Sequence, residues 1–312
     1  MIATGARVGV VIPCFNDGRY LGECLESLYG QTLAGWVAVI VDDGSTEALT
    51  REVLSAVRDP RVTVLRHGAN RGLAAARNTG IAALERPFVL PLDADDQLAP
   101  RYLEKTVEVL EADPRVDCVF PWFQCFGAES GVRAFVPGDV ASMLIAQWIP
   151  GPGTLMRRAL WERAGGYCED PALHAGNEDW DFWIAALRAG CVPAVIPEAL
   201  YRYRVKRESM VTRLRRREDV TRRFIVSRHR VIFDAHGLRR RFLADGYQRA
   251  SLAAWNDGDA WRALRKALRG WLLDVRRRDL ALLVLMGLAP RPVLRAIRSA
   301  RHHWRRAERP GL

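Results

Sequence analysis

The sequence predicts an α/β fold in which strands and helices alternate to build a doubly wound, mostly parallel sheet. Short apolar runs rich in β-branched residues, typical of buried strands, alternate with helical patterns through the first 200 residues. Aspartates directly follow two of these runs, at Asp42 and Asp43 and at Asp93, Asp95 and Asp96. Open parallel sheets bind ligands outside the carboxyl ends of their strands, so the aspartates mark the predicted site.

The first half of the chain reads as a regular series of strand–helix pairs. The predicted strands are 8–13, 37–41, 62–65, 88–92 and 116–126, and the predicted helices are 20–29, 47–57, 73–84 and 102–112. Helix 20–29 is typical of the set, because Leu21, Cys24, Leu25 and Leu28 fall on one apolar face. Consecutive strands joined by helical crossovers are expected to lie parallel.

The pattern is less regular after residue 126. We expect a loop or hairpin at 127–137, a short helix at 139–146, a loop at 148–154, a strand-to-helix step at 155–165, an amphipathic helix at 176–188, and closing strands at 192–196 and 199–205. The loop 148–154 contains two prolines and two glycines, which exclude regular structure there.

Beyond residue 208 the strand patterns give way to Arg-rich helical ones. Helices are predicted at 224–236, 240–255 and 259–273, with a tight turn at residues 256–258 that makes a helical hairpin. We therefore expect an α/β domain at 1–208 and a basic helical region at 209–312.

The charge of the chain is divided unevenly between these two parts. The net charge is +11, but residues 201–312 carry 30 Lys and Arg against 10 Asp and Glu, a balance of +20, whereas residues 1–200 balance at −9. Such asymmetry indicates an anionic partner surface, either nucleic acid or membrane lipid. Nucleic acid is disfavoured, because no nucleic-acid module is present and aromatic residues are not interleaved with the basic runs.

Cysteine usage and hydropathy predict the setting of the protein. The six cysteines show no CxxC pair or other metal-ligand spacing, which favours a reduced, cytoplasmic environment. No signal pattern precedes the first strand, and the late apolar run 280–289 is shorter than the roughly 20 residues that a bilayer requires. We expect a cytoplasmic protein, peripheral at the inner face of the membrane.

The segment FVLPLDADDQLAP at 88–100 carries the strongest chemical signal. Three carboxylates in four positions repel one another, and a divalent cation would offset that repulsion. Hard oxygen ligands without neighbouring Cys or His suit Mg²⁺ or Mn²⁺, which commonly neutralise the phosphates of a nucleotide. The alternative is an acidic turn in which Asp96 caps the next helix, and Asp42 could cap its own following helix in the same way.

Two common nucleotide motifs do not occur. No G-x-G-x-x-G follows the first strand, and no G-x-x-x-x-G-K-[ST] occurs in the chain. This argues against a dinucleotide enzyme or a P-loop NTPase.

Five segments taken in order resemble family 2 glycosyltransferases, which have the glycosyltransferase-A type (GT-A) fold. They are VVIPCFNDGRYLGECLESLYGQT, VDDGST, NRGLAAARNTGI, LDADD and NEDWDFW, within residues 7 to about 205. The resemblance implies an inverting, metal-dependent, hexosyltransferase-like enzyme that uses a nucleotide-sugar donor, by family habit UDP-sugar. It further implies a nucleotide-binding part at about 1–126 and an acceptor-binding part at about 127–208. The expected acceptor is a glycan or lipid-linked sugar of cell-surface polysaccharide or glycolipid synthesis.

The resemblance also implies residue roles. Asp43 would bind the base, Asp93 would face the ribose, Asp95 would hold the metal with help from Asp96, and Asp179 would be the catalytic base with Glu178 orienting it or the acceptor. Further donor-binding residues would be Pro13, Phe15, Asn16, Arg77 and Asn78, and acceptor-binding residues would be Gly153, Thr154 and Trp180. For Arg77 and Asn78 the alternative is packing on the helix surface. For the acidic start of helix 176–188 it is stabilisation by the helix dipole.

Two features of the chain stand apart from that pattern. Where many relatives have a His after the late YRV strand, this chain has Lys206, and Lys206 or Arg207 would pair with the diphosphate unless the lysine is simply solvated. Residues 292–306 combine an apolar stripe with arginines, which suits either a membrane surface or packing on the catalytic domain.

Two other functions compete with sugar transfer. A sugar nucleotidyltransferase shares the sheet and the aspartates, but it would need a Gly-rich basic loop after the first strand, and PCFNDGRY is not one. A catalytically silent, membrane-associated protein that keeps the fold is the other, and the intact carboxylates argue against it.

Overall fold

The computed structural model describes residues 6–206 and 214–288. Contacts between residues divide the chain into two compact units, Met1–Ser209 and Met210–Leu312. Each unit is described separately below.

The first unit begins with alternating strands and helices, as the sequence predicts. They are β1 (Val8–Cys14), α1 (Gly18–Tyr29), β2 (Trp36–Asp42), α2 (Ala48–Ala56), β3 (Val62–Arg66), α3 (Leu73–Ala83), β4 (Phe88–Pro91), β5 (Gln97–Leu98) and α4 (Tyr102–Ala112). Strands β3, β2, β1 and β4 lie side by side in that order and run parallel. The predicted doubly wound sheet is confirmed, and the carboxyl ends of β1, β2 and β4 share one edge.

The second half of this unit extends the same sheet. Its elements are β6 (Cys118–Gly127), β7 (Gly131–Arg133), α5 (Val140–Met143), β8 (Leu155–Arg157), α6 (Arg158–Ala164), a 3₁₀ turn (Pro171–Leu173), α7 (Glu178–Arg188) and β9 (Pro193–Val205). The sheet continues from β4 through β8, β6 and β9 to β5, and β7 pairs with β6. Strand β8 is antiparallel to both of its neighbours, whereas β6 and β9 are parallel.

The predicted closing pair of strands is wrong, because residues 193–205 form the single strand β9. Ile196 pairs with Pro121 and Ala199 with the next residue, Trp122, so the two residues between them leave the ladder as a bulge. Pro197 lacks the N–H that the ladder needs, which explains why the irregularity falls there. A bulge was therefore mistaken for a break between strands.

The core of this unit lies between the parallel strands and the helices that pack against them. Every residue of β1 and of β2 is buried. Helix α3 lies directly on β1, because a Cβ at Gly80 would collide with the side chain of Val11. The close contact fixes the side chains that α3 carries toward the carboxyl edge of the sheet.

The second unit is helical, in agreement with the change in sequence pattern. It contains α8 (Glu218–Arg228), α9 (Arg230–Ala235), α10 (Arg239–Asn256), α11 (Ala260–Leu273) and α12 (Arg278–Leu288). The predicted helix 224–236 is divided at His229, and the predicted hairpin is confirmed by the turn between α10 and α11, where Gly258 has a φ of +88°. The predicted tail stripe at 292–306 lies outside the described residues. Among the helices that the structure describes, none is both long enough and apolar enough to cross a bilayer.

Candidate active site

The carboxyl end of β2 presents two aspartates with different partners. Asp42 is fully buried, and its Oδ1 accepts a hydrogen bond from the Ser45 N–H at 2.8 Å while its Oδ2 accepts one from Arg66 Nε at 2.8 Å. Asp42 thus closes the turn after β2. It does not cap α2, whose N-terminal flanking residue is Glu47.

Asp43, the predicted partner of the nucleobase, is held in place by three neighbouring groups. Its Oδ1 lies 2.7 Å from His67 Nδ1 and accepts from the Arg71 N–H at 2.9 Å, and its Oδ2 accepts from the Gly72 N–H at 2.8 Å. A carboxylate oxygen can accept two hydrogen bonds, so Oδ2 retains capacity for a donor such as a ring N–H of a base. No sequence pattern predicted the contact between His67 and Asp43, because a single His after a strand can have many different roles.

Three predicted donor-binding residues lie at the end of β1 and in the loop that follows it, and they have different surroundings. Pro13 is buried within β1, and Phe15 is 42% exposed. Asn16, at a φ of +58°, accepts hydrogen bonds at Oδ1 from the N–H groups of Thr46 and Glu47. Asn16 therefore fastens this loop to the one after β2, and Phe15 is the residue of the three that faces solvent.

Arg77 joins two segments that are far apart in the sequence. Its side chain is 1% exposed, and it donates from Nη1 to Glu178 Oε1 at 2.8 Å and from Nη2 to Asp93 Oδ1 at 3.0 Å. The guanidinium also lies 5.4 Å from the ring centre of Tyr167. The predicted alternative of packing on the helix surface is wrong for Arg77, which instead brings the ends of β4 and α7 together.

The electrostatics of this bridge follow from its burial. Burial opposes the charge of Arg77, but the carboxylates of Asp93 and Glu178 outweigh it and raise the Arg77 pKa above its ordinary value. Burial, together with the neighbouring Asp179, raises the pKa of Glu178 to about 7, although Arg77 opposes that shift. Burial also raises the pKa of Asp93, again against the influence of Arg77. The guanidinium is therefore the charge that opposes protonation of these two carboxyl groups.

The three aspartates after β4 form a cluster whose oxygens lie within 4.8 Å of one another. Asp96 is 1% exposed, and its two oxygens accept from Tyr201 Oη and from the Arg204 N–H, each at 2.7 Å. Burial and then the charges of Asp95 and Asp93 raise the Asp96 pKa well above its ordinary value. Asp96 does not cap the next helix, because Arg101 occupies that position before α4.

The cluster fits a hard divalent cation by the chemistry of its donors. Asp93 and Asp95 are partly exposed, and each has one oxygen paired with a cationic side chain and a second oxygen available. Asp96, with both oxygens bonded inside the fold, supports the cluster from behind. Asp95 and Asp93 are thus the residues that would hold Mn²⁺ or Mg²⁺.

Lys206 lies on this cluster. Its Nζ is 2.6 Å from Asp95 Oδ2 and 3.4 Å from Asp17 Oδ1, and it stands 5.0 Å from the ring centre of Tyr20. The expectation of a solvated lysine is therefore wrong, and Asp17 is a site residue that sequence reasoning missed. Arg207, the other residue considered for this place, lies outside the described residues.

Asp179, the predicted base, is set at the start of α7. Its Oδ2 accepts from Gln147 Nε2 at 2.9 Å, and its Oδ1 accepts from the Trp180 N–H at 2.8 Å. Gly151 packs so closely that a Cβ there would collide with Asp179. The loop before β8 thereby fixes a partly exposed carboxylate, and no sequence signal pointed to Gln147.

The three predicted acceptor-binding residues are buried, which corrects their assigned role. Gly153 lies against the ring of Tyr201, and Thr154 is fully buried with its hydroxyl donating to the Pro150 carbonyl at 2.8 Å. Trp180 is 5% exposed and donates to the Met143 carbonyl at 2.7 Å. They shape the loop beside Asp179 from beneath, where an acceptor cannot touch them.

Asn78 also has a supporting position. Its Nδ2 donates to the Tyr167 carbonyl and to Glu169, and its Oδ1 accepts from Trp161 Nε1 and the Tyr167 N–H, at distances of 2.8 to 3.1 Å. These contacts use its full hydrogen-bonding capacity. Asn78 therefore holds the segment after α6 against α3 and is not free to bind a donor.

The comparisons with known sequences point to glycosyltransferases. A sequence model of Glycosyl transferase family 2 matches residues 9–168. The chain is 29% identical over 206 residues to "Putative glycosyltransferase EpsE" of Bacillus subtilis, which covers 64% of this chain and 74% of that protein. It is also 29% identical over 188 residues to an "Uncharacterized glycosyltransferase" of Haemophilus influenzae, with 58% of this chain and 62% of that protein covered.

Comparison with solved structures confirms the fold. Residues 1–349 of S. aureus TarS superpose with a TM-score of 0.61 at 18% identity, covering 90% of each chain, and the same protein has been solved with UDP-GlcNAc. The mannosyltransferase PcManGT of Pyrobaculum calidifontis, solved with GDP-Man and Mn²⁺, superposes with a TM-score of 0.56 at 20% identity, covering 92% of this chain and 89% of that one.

Proposed function

Because the chain belongs to glycosyltransferase family 2, we propose that it transfers a sugar from a nucleoside-diphosphate donor to a hydroxyl acceptor with inversion at the anomeric carbon. One observation carries the proposal: the buried Arg77 joins Asp93, on the donor side, to Glu178, which directly precedes the base candidate Asp179. An inverting transfer needs these two groups of carboxylates on either side of one sugar.

The chemistry assigns a distinct task to Asp179. Its carboxylate removes the proton from the acceptor hydroxyl as that oxygen bonds to the anomeric carbon, while the bond from this carbon to the diphosphate oxygen breaks and its electron pair leaves with the diphosphate. Gln147 holds one oxygen of Asp179 at 2.9 Å, which sets the direction of the carboxylate. Glu178 orients this end of α7 through Arg77.

The leaving group requires positive charge. A divalent ion held by Asp95 and Asp93 would neutralise the diphosphate, as metal ions commonly do at phosphates. Lys206 and Arg204 add fixed positive charge beside Asp95. We propose a UDP-sugar donor, with Asp43 and Phe15 at the base and Mn²⁺ or Mg²⁺ as cofactor. The solved TarS complex with UDP-GlcNAc and the PcManGT complex with Mn²⁺ support this choice.

The proposal is tested by offering the protein a panel of nucleotide sugars with Mn²⁺ and measuring release of nucleoside diphosphate. We expect release from a UDP-sugar, and we expect Asp95→Ala to weaken Mn²⁺-dependent donor binding by about 100-fold or more, because a ligand to the ion is lost. Asp113→Ala is the matched control, since the Asp113 carboxylate pairs with the exposed side chain of its near neighbour Arg115. No release across the panel would instead favour the catalytically silent alternative.

The function of a sugar nucleotidyltransferase has less support from the same fold. Such an enzyme needs a flexible, basic loop around the nucleotide phosphates after β1. Here the loop is fastened by Asn16 to Thr46 and Glu47, and by the Gly18 N–H to Thr50 Oγ1 at 3.0 Å.

The acceptor side of the proposal rests on the surface of the second unit. Helix α11 exposes Trp261 at 68% and Leu272 at 66%, and neighbouring arginines flank this apolar stripe. Helix α12 adds three exposed leucines, Leu282, Leu285 and Leu288. A basic helical surface with apolar side chains suits an anionic bilayer. We propose a peripheral enzyme at the inner face of the cytoplasmic membrane that extends a lipid-linked or surface glycan.

Vesicle sedimentation tests this surface. We expect binding to anionic vesicles and little to neutral ones, and the double variant Trp261→Glu, Leu272→Glu should weaken anionic binding by about tenfold or more, because buried apolar area is replaced by like charge. Val231→Glu is the control, since Val231 is 79% exposed on α9 of the same unit. Equal binding to both vesicle types, or none to either, would contradict the proposal.

A further inference from the structure

Lys206 places a built-in cation on Asp95, one of the two carboxylates proposed to hold the metal. The ammonium lies 2.6 Å from Asp95 Oδ2 and also contacts Asp17 Oδ1 at 3.4 Å. It is 23% exposed, so the pair is partly shielded from water. The ammonium neutralises much of the charge of Asp95 and repels a second cation placed on the same carboxylate, so Lys206 and a metal ion oppose each other at Asp95.

Several contacts hold the side chain of Lys206 in a defined position. Its ammonium lies 5.0 Å from the centre of the Tyr20 ring, and the Arg204 guanidinium lies 4.6 Å from the same ring centre. Arg204 in turn donates from Nε to the Asp95 carbonyl at 2.8 Å. Arg204 belongs to the end of β9 and Lys206 directly follows that strand, and β9 reaches the aspartates because Gln97, which follows Asp96, pairs with Arg202.

We propose that Lys206 acts as an internal counter-ion that lowers the affinity of Asp95 for a divalent metal until a diphosphate arrives. Without donor, the ammonium satisfies Asp95 and Asp17 and lowers the affinity of the cluster for a free ion. The diphosphate offers the ammonium an alternative anion, which frees Asp95 for the metal. Metal and donor are therefore taken up together, and Lys206 is the positioning residue that couples them. The inference rests on the proposed metal site at Asp95 and Asp93.

The coupling is measured on the whole protein without any turnover. Binding of Mn²⁺ alone is followed by the electron paramagnetic resonance signal of the free ion, and binding is then repeated with saturating UDP. We expect Lys206→Met to bind Mn²⁺ alone about tenfold more tightly than the parent protein, which corresponds to about 1.4 kcal/mol at 25 °C. We expect UDP to tighten Mn²⁺ binding strongly in the parent protein and much less in the variant.

Two further variants separate competition from a general loss of positive charge. Arg204→Met removes a neighbouring charge that contacts the Asp95 carbonyl and not its carboxylate, so its effect on Mn²⁺ affinity should be clearly smaller. Lys206→Gln repeats the test with a polar side chain, and its thermal melting shows whether the fold is kept if the Met variant is unstable.

The outcomes separate a failure of the counter-ion role from a failure of the proposed metal site. Equal tightening in the Lys206 and Arg204 variants, or unchanged Mn²⁺ affinity in both Lys206 variants, overturns the counter-ion role while leaving the proposed sugar transfer intact. Failure of parent and variants alike to bind Mn²⁺, with or without UDP, overturns this inference and the proposed metal site together. The donor panel described above then still reports separately whether transfer occurs.

Discussion

Asp179→Asn is expected to lower the rate of sugar transfer by about 10²- to 10⁴-fold, the range over which a positioned general base contributes. The amide cannot accept the proton of the acceptor hydroxyl, but it has nearly the same size as the carboxylate. The amide oxygen can still accept from Gln147 Nε2, as Asp179 Oδ2 now does at 2.9 Å, and the contact that is given up is the one from the adjacent Trp180 N–H to Oδ1. The loop beside the site should therefore keep its shape, and donor binding should be unchanged.

The two halves of that expectation are measured separately. Calorimetry with a UDP-sugar and Mn²⁺ reports donor binding, and a single-turnover assay reports transfer. Asp181→Asn provides a comparison on the same helix, since Asp181 is 1% exposed and faces the core. Transfer by Asp179→Asn at the parental rate would show that another group is the base.

The sequence predicted the parts of the site that follow directly from strand ends. Asp43 and Asp95 lie where parallel strands finish, and the alternation of strands and helices places those ends on one edge. Each of these residues belongs to a short local pattern with a clear physical meaning. Local patterns of this kind carry over into three dimensions because the sheet topology determines where they meet.

The contacts that complete the site could not be predicted in the same way. Gln147 and Asp17 reach the site through tertiary packing, and no sequence pattern marked either of them as a site residue. The sequence singled out Lys206 as a partner of the diphosphate, but its contact with Asp95 follows from the pairing of β5 with β9, which joins residues about 100 positions apart. Long-range pairs of this kind are determined by the fold as a whole.

The prediction of acceptor-binding residues was wrong for a related reason. The family resemblance assigned Gly153 and Thr154 to the acceptor, and they lie in a loop that prolines and glycines make irregular, a kind of segment that is usually on the surface. In the structure Gly153 has a φ of +69° and packs beneath Tyr201, so its glycine serves a close contact. The sequence identified the loop correctly but could not show which side of it faces solvent.

Arg77→Met should produce the largest loss of stability, about 3–5 kcal/mol in the free energy of unfolding near pH 8, the range reported when one partner of a buried ion pair is removed. The guanidinium is 1% exposed and pairs with Asp93 and Glu178, so its loss leaves two carboxylates without a counter-ion. Arg230→Met is the control, because Arg230 is 70% exposed and pairs with Asp234, which is 46% exposed. An exposed pair of that kind contributes about 1 kcal/mol or less.

The deficit of Arg77→Met should depend on pH in a defined direction. Burial already raises the pKa of Glu178 to about 7 and raises that of Asp93, and removing Arg77 takes away the charge that opposes both shifts. A carboxyl group whose folded pKa exceeds its unfolded value contributes stability below the unfolded pKa and loses it as the pH rises through the folded pKa. The variant should therefore lie closest to the parent protein at pH 5, where Glu178 can take up a proton, and furthest from it at pH 8. Urea unfolding at the two pH values measures this difference, and an equal deficit at both would mean that the two carboxylates are not what Arg77 stabilises.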